Sequence, residues 1–311
     1  MFCIPFFLYA QIGDTTIEAT PALPGPHETV TLRLASYSTD LVRSEIFWYV
    51  NDVLESRGVG LQTFQFTTGA SGKSLRIEVV IKTPAGGRIE RTLTFRPAGL
   101  DILWKAYTYT PALYKGKALP SSKSLIHVLA MADFVTSSGN IMKPSQLIYS
   151  WEQDGVALGR GSGVGKNSII LQTLPVSGGK TSITASVSSL DGTLRAQKTV
   201  SVQTTDPYIL FYENHPLEGV RYKTILPVNV SLTEEEITVR AEPFFFSTND
   251  MQSNRLEYQW TANGIRVGQI NQKELTLRKE SGADGTSRIG LKIENIGRLL
   301  QLAQNAFNIH F

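Results

Sequence analysis

The side chains that could do chemistry in this 311-residue chain do not assemble into a known reactive pattern. The glycine-rich stretch Gly159 to Lys166 ends in Gly165-Lys166 and invites a phosphate-loop reading. That loop requires G-x-x-x-x-G-K-[ST], because its backbone amides cradle phosphate and its hydroxyl meets the metal. Here Arg160 stands at the first glycine position and Asn167 at the Ser/Thr position. The four histidines, His27, His127, His215 and His310, have no second ligand at a metal-like spacing, so no metal site is nominated. No Gly-x-Ser-x-Gly elbow is present, and no nucleophile is nominated. Glu234-Glu235-Glu236 could reach a calcium ion, but lacks the Asp-x-Asp-x-Asp-Gly loop and reads as a solvated turn. Asn229-Val230-Ser231 matches a glycosylation sequon, which matters only on a eukaryotic secretory route. The chain is expected to be non-enzymatic, without cofactor.

Composition bounds the partners. Thirty Lys plus Arg against 27 Asp plus Glu give a net charge of +3, too little to argue for nucleic acid or a membrane surface. Hydrophobic residues make up 41%, enough for packed cores. A single cysteine excludes an intrachain disulfide and a multi-cysteine zinc site.

Phe2 to Tyr9 is an uncharged apolar run, too short to span a bilayer as a helix and suited to the core of a secretory signal. Ala10 would be the last residue before cleavage and Gln11 the new N-terminus; no Lys or Arg precedes the run, and Leu8 replaces the expected small residue. Cys3 lies inside the segment. The reading is an exported protein with a signal at 1–10 and no transmembrane span in the mature chain.

The elements come from an internal repeat. Ile46-x-Trp48, Tyr149-x-Trp151 and Tyr258-x-Trp260 each end an alternating strand, and each is followed by a tight-turn pair: Asn51-Asp52, Asp154-Gly155 and Asn263-Gly264. The three tryptophans lie 103 and 109 residues apart, the length of one β-sandwich domain. The opening strands read Val30-x-Leu32-x-Leu34, Leu125-x-His127-x-Leu129 and Ile237-x-Val239-x-Ala241. After the tryptophans come Phe64-x-Phe66, Ile169-x-Leu171 and Leu275-x-Leu277. Next are Leu75 to Ile81, Ile183 to Val187 and Ile289 to Ile293, then closing strands with Leu93-x-Phe95, Val200-x-Val202 and Phe307-x-Ile309-x-Phe311. Turns at 69–72, 178–179 and 282–285 separate them. The fold class is all-β, three tandem sandwiches after the signal, with boundaries at 11–99, 100–205 and 206–311 and cores built on Trp48, Trp151 and Trp260.

These Trp hairpins and the Pro24 to Leu34 entry strand resemble bacterial immunoglobulin-like and PKD-type domains. The disulfide of antibody-type domains is absent, and so is the full Trp-Asp-Phe-Gly-Asp-Gly motif of PKD domains. The resemblance implies adhesion, scaffolding or spacing roles with no shared active site.

The segments between domains repeat as well. Ile102-Leu103-Trp104 and Ala118-Leu119-Pro120 match Ile209-Leu210-Phe211 and Ile225-Leu226-Pro227 at an offset of 107. Each apolar start reads as a first strand; the Tyr- and Lys-containing rest reads as a long loop, or a strand crossing to the other sheet, packed on the junction. The candidate interaction surface is aromatic: Trp104, Tyr107, Tyr109 and Tyr114, echoed by Tyr208, Phe211, Tyr212 and Tyr222. The first functional reading is a spacer or scaffold in a cell-surface or extracellular assembly, with an envelope or extracellular protein as partner. The alternative is a carbohydrate-binding or adhesin protein using these aromatics; a third is an accessory region of an enzyme on another chain.

Overall fold

The computed structural model describes residues 15–136, 138–268, 271–279, 284–298 and 300–311. The segment at 1–10, with Cys3, lies outside them, as does half of the 282–285 turn. The regular structure of the described residues is nearly all strand, and one strand order occurs three times along the chain.

The first set comprises β1 (Thr15–Thr20), β2 (Thr29–Ser36), β3 (Glu45–Val50), β4 (Val53–Val59), β5 (Thr63–Thr67), β6 (Leu75–Lys82) and β7 (Arg88–Phe95). Its sheets run β1-β2-β5 and β4-β3-β6-β7. The second set comprises β8 (Gly99–Ala106), β9 (Leu125–Asp133), β10 (Leu147–Gln153), β11 (Val156–Ala157), β12 (Gly163–Val164), β13 (Ser168–Gln172), β14 (Lys180–Ser189) and β15 (Arg195–Gln203). Its orders are β13-β9-β8 and β11-β10-β14-β15, with β12 also on β10. The third comprises β16 (Tyr208–His215), β17 (Gly219–Val220), β18 (Asn229–Ser231), β19 (Glu236–Phe244), β20 (Leu256–Ala262), β21 (Ile265–Val267), β22 (Glu274–Arg278), β23 (Thr286–Asn295) and β24 (Leu302–His310), with α1 (Thr248–Gln252) after β19. It gives β17-β16-β19-β22 and β18-β24-β23-β20-β21. This is the immunoglobulin-like arrangement, in which the first, second and fifth strands oppose the rest.

The chain divides into two compact units. One holds the residues through Leu103 with Leu129–Ser168 and Ser182–Val200; the other holds Trp104–Val128, Ile169–Thr181 and Ser201–Phe311. In the first unit Val30, Leu32 and Leu34 of β2 meet Trp48, Ile77, Val79 and Ile81 in one core. In the second, Val239, Trp260, Ile289, Ile293 and Phe307 form the equivalent core.

Trp48, Trp151 and Trp260 are all buried, at 0%, 0% and 1% exposure. A buried indole N–H must find an acceptor. Each donates to the backbone carbonyl of a residue 12 to 15 positions on: Leu61 at 3.1 Å, Lys166 at 2.8 Å and Gln272 at 2.9 Å. The ring thus pins the chain that leaves the Trp hairpin. The hairpin turns hold both central residues at positive φ, as a type I′ turn requires: 48° and 67° at Asn51-Asp52, 51° and 78° at Asp154-Gly155, 50° and 83° at Asn263-Gly264. The first turn residue also accepts from a strand amide, Arg76, Ser182 or Arg288, through its side-chain oxygen.

One strand turns out in the opposite phase. Ile126, Val128 and Ala130 of β9 are buried, whereas Leu125, His127 and Leu129 are only half-buried. Both faces of Leu-Ile-His-Val-Leu-Ala are largely apolar, so alternation alone did not choose between them. The glycine-rich segment at 159–166 forms a 3-10 turn and a two-residue strand, then leads into β13 rather than a helix. Gly60 and Gly165 occupy matching places with φ of 71° and 72°, a left-handed bend that a side chain disfavours. No helix among the described residues is long and apolar enough to cross a membrane.

Candidate interaction site

The predicted aromatics gather in the second unit, where a strap at 107–123 is bound to the third set of strands. Beyond β8, Thr108 bridges Ser247 in antiparallel fashion. The Tyr109 amide donates to the Phe246 carbonyl and the Phe245 amide donates back to Tyr109, both at 2.8 Å; the Thr248 amide donates to Tyr107 at 3.1 Å. The receiving backbone is distorted. Phe245 has φ of 64°, a costly conformation for a bulky residue. That break in strand alternation lets Phe244, Phe245 and Phe246 all be buried in succession.

The far end of the strap is held by a buried amide. Gln301, at 0% exposure, donates through Nε2 to Ser121 Oγ at 3.0 Å and to the Ser122 carbonyl at 2.9 Å. Its Oε1 accepts from the Ser247 amide and from Asn295 Nδ2. Arg298 joins Asp250 to the Lys123 carbonyl, and Asn295 Nδ2 also donates to Asp250. Burial alone would raise the Asp250 carboxyl, but donation from Asn295 and Arg298 outweighs it and holds the acid below the ordinary carboxylate range.

At the centre is Glu242, 1% exposed. Tyr109 Oη donates to Oε2 at 2.8 Å, and Oε1 accepts from Tyr222 Oη at 2.8 Å and Arg240 Nε at 2.7 Å. Arg240 Nη1 reaches on to Glu274 at 2.9 Å, where Asn214 also donates. A buried carboxylate survives where donors saturate it. Burial first, then the Glu242 hydrogen bond, raises both phenols: Tyr109 well above the ordinary range and Tyr222 up to about 12.

A pH dependence follows from these raised values. In the unfolded chain both tyrosines ionise near pH ~10. The folded state holds them neutral, so their contribution is fully present below pH ~10 and is lost as the pH climbs toward about 12, the folded value of Tyr222. Absorbance at 295 nm is expected to show part of the tyrosine complement ionising only with alkaline unfolding. Complete ionisation near pH 10 with the fold intact would contradict the Glu242 network.

The other predicted residues are placed as follows. Tyr114 and Tyr208 pack on Phe244, edge-on at 5.4 Å and stacked at 4.6 Å. They remain 38% and 37% exposed, so they offer aromatic surface to solvent. Trp104 is half-buried with the Lys117 ammonium 3.1 Å from its ring centroid, and Tyr107 carries Lys105 at 5.4 Å. Phe211 is core, at 3% exposure, against Trp260 and Phe307. Tyr212 is buried at 6% with its ring against Tyr222, so it presents little surface. The structure therefore brings Tyr109 and Tyr222 onto one carboxylate and Tyr114 and Tyr208 onto one phenylalanine. Sequence reasoning missed Glu242, Asp250, Asn295 and Gln301. The one available signal was Arg240 two residues before Glu242, on the same face of the strand.

A separate open cleft of about 700 Å³ lies in the first unit between edge strands β4 and β5, lined by Val50, Glu55, Phe64, Gln65 and Phe66. Among the described residues no group of three His, Cys, Asp or Glu side chains is placed to hold a metal ion.

No known family profile matches the chain, and no curated protein matches it. Solved structures do. The fibronectin(III)-like modules of Clostridium thermocellum CbhA are 16% identical, over 61% of this chain and 94% of that one, with a TM-score of 0.28. Three N-terminal domains of the bacteriophage RB49 highly immunogenic outer capsid protein are 11% identical, over 96% and 97%, at 0.28. Bacteroides ovatus SGBP-B, solved with a mixed-linkage heptasaccharide, is 11% identical, over 99% and 68%, at 0.25. The chain is similar to fibronectin-III and immunoglobulin-like structures.

Proposed function

We propose that the chain is an exported, non-catalytic array of three immunoglobulin-like sandwiches, at 11–99, 100–205 and 206–311, released from a signal at 1–10. It acts as a spacer and interaction module in a cell-surface or extracellular assembly, and its partner is an envelope or extracellular protein. The observation that carries this reading is the strap. A free loop between β8 and β9 would be polar, solvated and unpaired. Residues 107–123 are instead fixed by backbone bridging to Ser247 and by buried side chains, Glu242 and Gln301, at either end. Ordering that many residues has a large entropic cost, which a mere connecting loop has no need to meet.

Fractionation of the producing cells tests the proposal, combined with N-terminal sequencing and surface cross-linking. A surface or extracellular chain beginning at Gln11 and giving discrete adducts with another envelope protein is expected. Retention inside the cell with Met1 intact would overturn it, as would turnover of a substrate by the purified chain.

A second reading, carbohydrate binding, is favoured by one observation. Tyr114 and Tyr208 each leave more than a third of their surface in solvent while Phe244 holds them in place. Rigid aromatic area of this kind binds sugar faces at low entropic cost.

A further inference from the structure

The strap differs from the rest of the molecule in charge. Between Trp104 and Lys123 there are four lysines, Lys105, Lys115, Lys117 and Lys123, and no Asp or Glu. The chain's net charge is +3, so this twenty-residue segment, at +4, carries all of the excess and the remainder nets −1. The matching segment after Phe211 is different: Glu213 and Glu218 there offset Arg221 and Lys223, and Arg221 pairs with both acids. Repetition of the module therefore does not explain the basic strap.

All four lysines of this segment, Lys105 at the end of β8 and three in the strap, are exposed. Among the described residues the lysine ion pairs are those of Lys198, Lys279 and Lys292, and none involves the strap. Two of the four are held over aromatic rings instead, Lys117 on Trp104 and Lys105 on Tyr107. A ring face fixes an ammonium without neutralising it. Partial desolvation lowers the basicity of Lys117. The carboxylate of Glu242 lies beneath the strap, but Arg240 and two phenols already engage it.

Gly116 lies between the two central lysines. A side chain there would run into the ring of Tyr114, so glycine lets the backbone between Lys115 and Lys117 pass against that ring. Half-exposed aromatics thus adjoin uncompensated cations on one segment, a pattern that fits sugar rings bearing carboxylates. A polyphosphate would require a broader basic field than a chain whose remainder nets −1 can supply. An acidic peptide would use the lysines and leave the tyrosine faces without a role.

We propose that the strap is a binding site for an acidic polysaccharide, with Tyr114 and Tyr208 against the sugar rings and Lys115 and Lys117 paired with the uronate carboxylates. This rests on the carbohydrate reading and names its substrate class. The experiment is calorimetric titration of the full chain with polygalacturonate, laminarin, polyaspartate and single-stranded DNA at low and moderate salt. Polygalacturonate is expected to bind and to weaken as salt rises. The K115Q/K117Q double variant is expected to bind about tenfold less tightly while keeping a cooperative melting transition, and Tyr114→Ala to weaken binding at all salt concentrations. Equal binding of polyaspartate or DNA would reduce the strap to a general polyanion surface and overturn the proposal. Laminarin binding as tightly, with the lysine variant unaffected, would overturn the acidic-sugar inference while leaving the carbohydrate reading standing. Binding of none of the four would remove both.

Discussion

Trp151→Ala is expected to destabilise the transition that includes β10 by about 3–5 kcal/mol and to lower its melting temperature by roughly 10 °C or more. The indole is fully buried at the end of β10, between Ala185 on the neighbouring strand and the chain that leaves the hairpin. Its removal opens a large cavity that a sheet-bound backbone cannot close. It also strips the Lys166 carbonyl of its donor at 2.8 Å. A domain is stable by only ~5–15 kcal/mol, so this one truncation takes a large share. Trp151→Phe separates the two contributions: it keeps most of the ring and loses the N–H, at about 1–2 kcal/mol. Calorimetry on both variants makes the measurement. An unchanged melting profile for the alanine variant would show that the ring is not in the core.

Glu242→Ala is expected to cost about 2–3 kcal/mol and to release the strap. Removing one partner of a buried ion pair usually costs ~3–5 kcal/mol, because the other is left uncompensated. Here the Arg240 side chain is 29% exposed and keeps Glu274, which trims the loss. Tyr109 and Tyr222 each lose an acceptor in a half-buried setting. The distinguishing readout is local. Amide exchange at Tyr109 and Phe245, whose backbones pair with each other across the strap, is expected to accelerate well beyond that of the β23 amides. Tyr109→Phe removes one hydrogen bond and is expected to reproduce the local effect at about 1 kcal/mol. Uniform exchange in the Glu242 variant would mean that the carboxylate does not hold the strap.

The repeat, the strand positions and the tryptophan cores were legible in the residues, because each depends on neighbours close in the chain. Leu256, Tyr258 and Trp260 alternate onto one face, and the Asn263-Gly264 turn is fixed by two φ values. β9 shows the limit of that logic. With apolar residues on both faces of Leu125 to Ala130, the phase is chosen by what packs against the strand. The aromatics were visible as a group, but their division of labour was not. Tyr109, Tyr212 and Tyr222 turned inward while Tyr114 and Tyr208 kept a solvent face, and nothing in their immediate sequence distinguishes them.

By itself, then, the amino-acid order determined an all-β chain with a repeated Trp hairpin and an aromatic, lysine-bearing strap, since alternation, turn chemistry and charge are local properties. Only the tertiary structure decided which polar groups hold that strap. Tyr109 meets Glu242 across 133 residues, and Gln301 meets Ser121 across 180. Pairings at that separation leave no periodic trace. They are selected because a buried carboxylate or amide must find donors and acceptors wherever the fold brings them within about 3 Å.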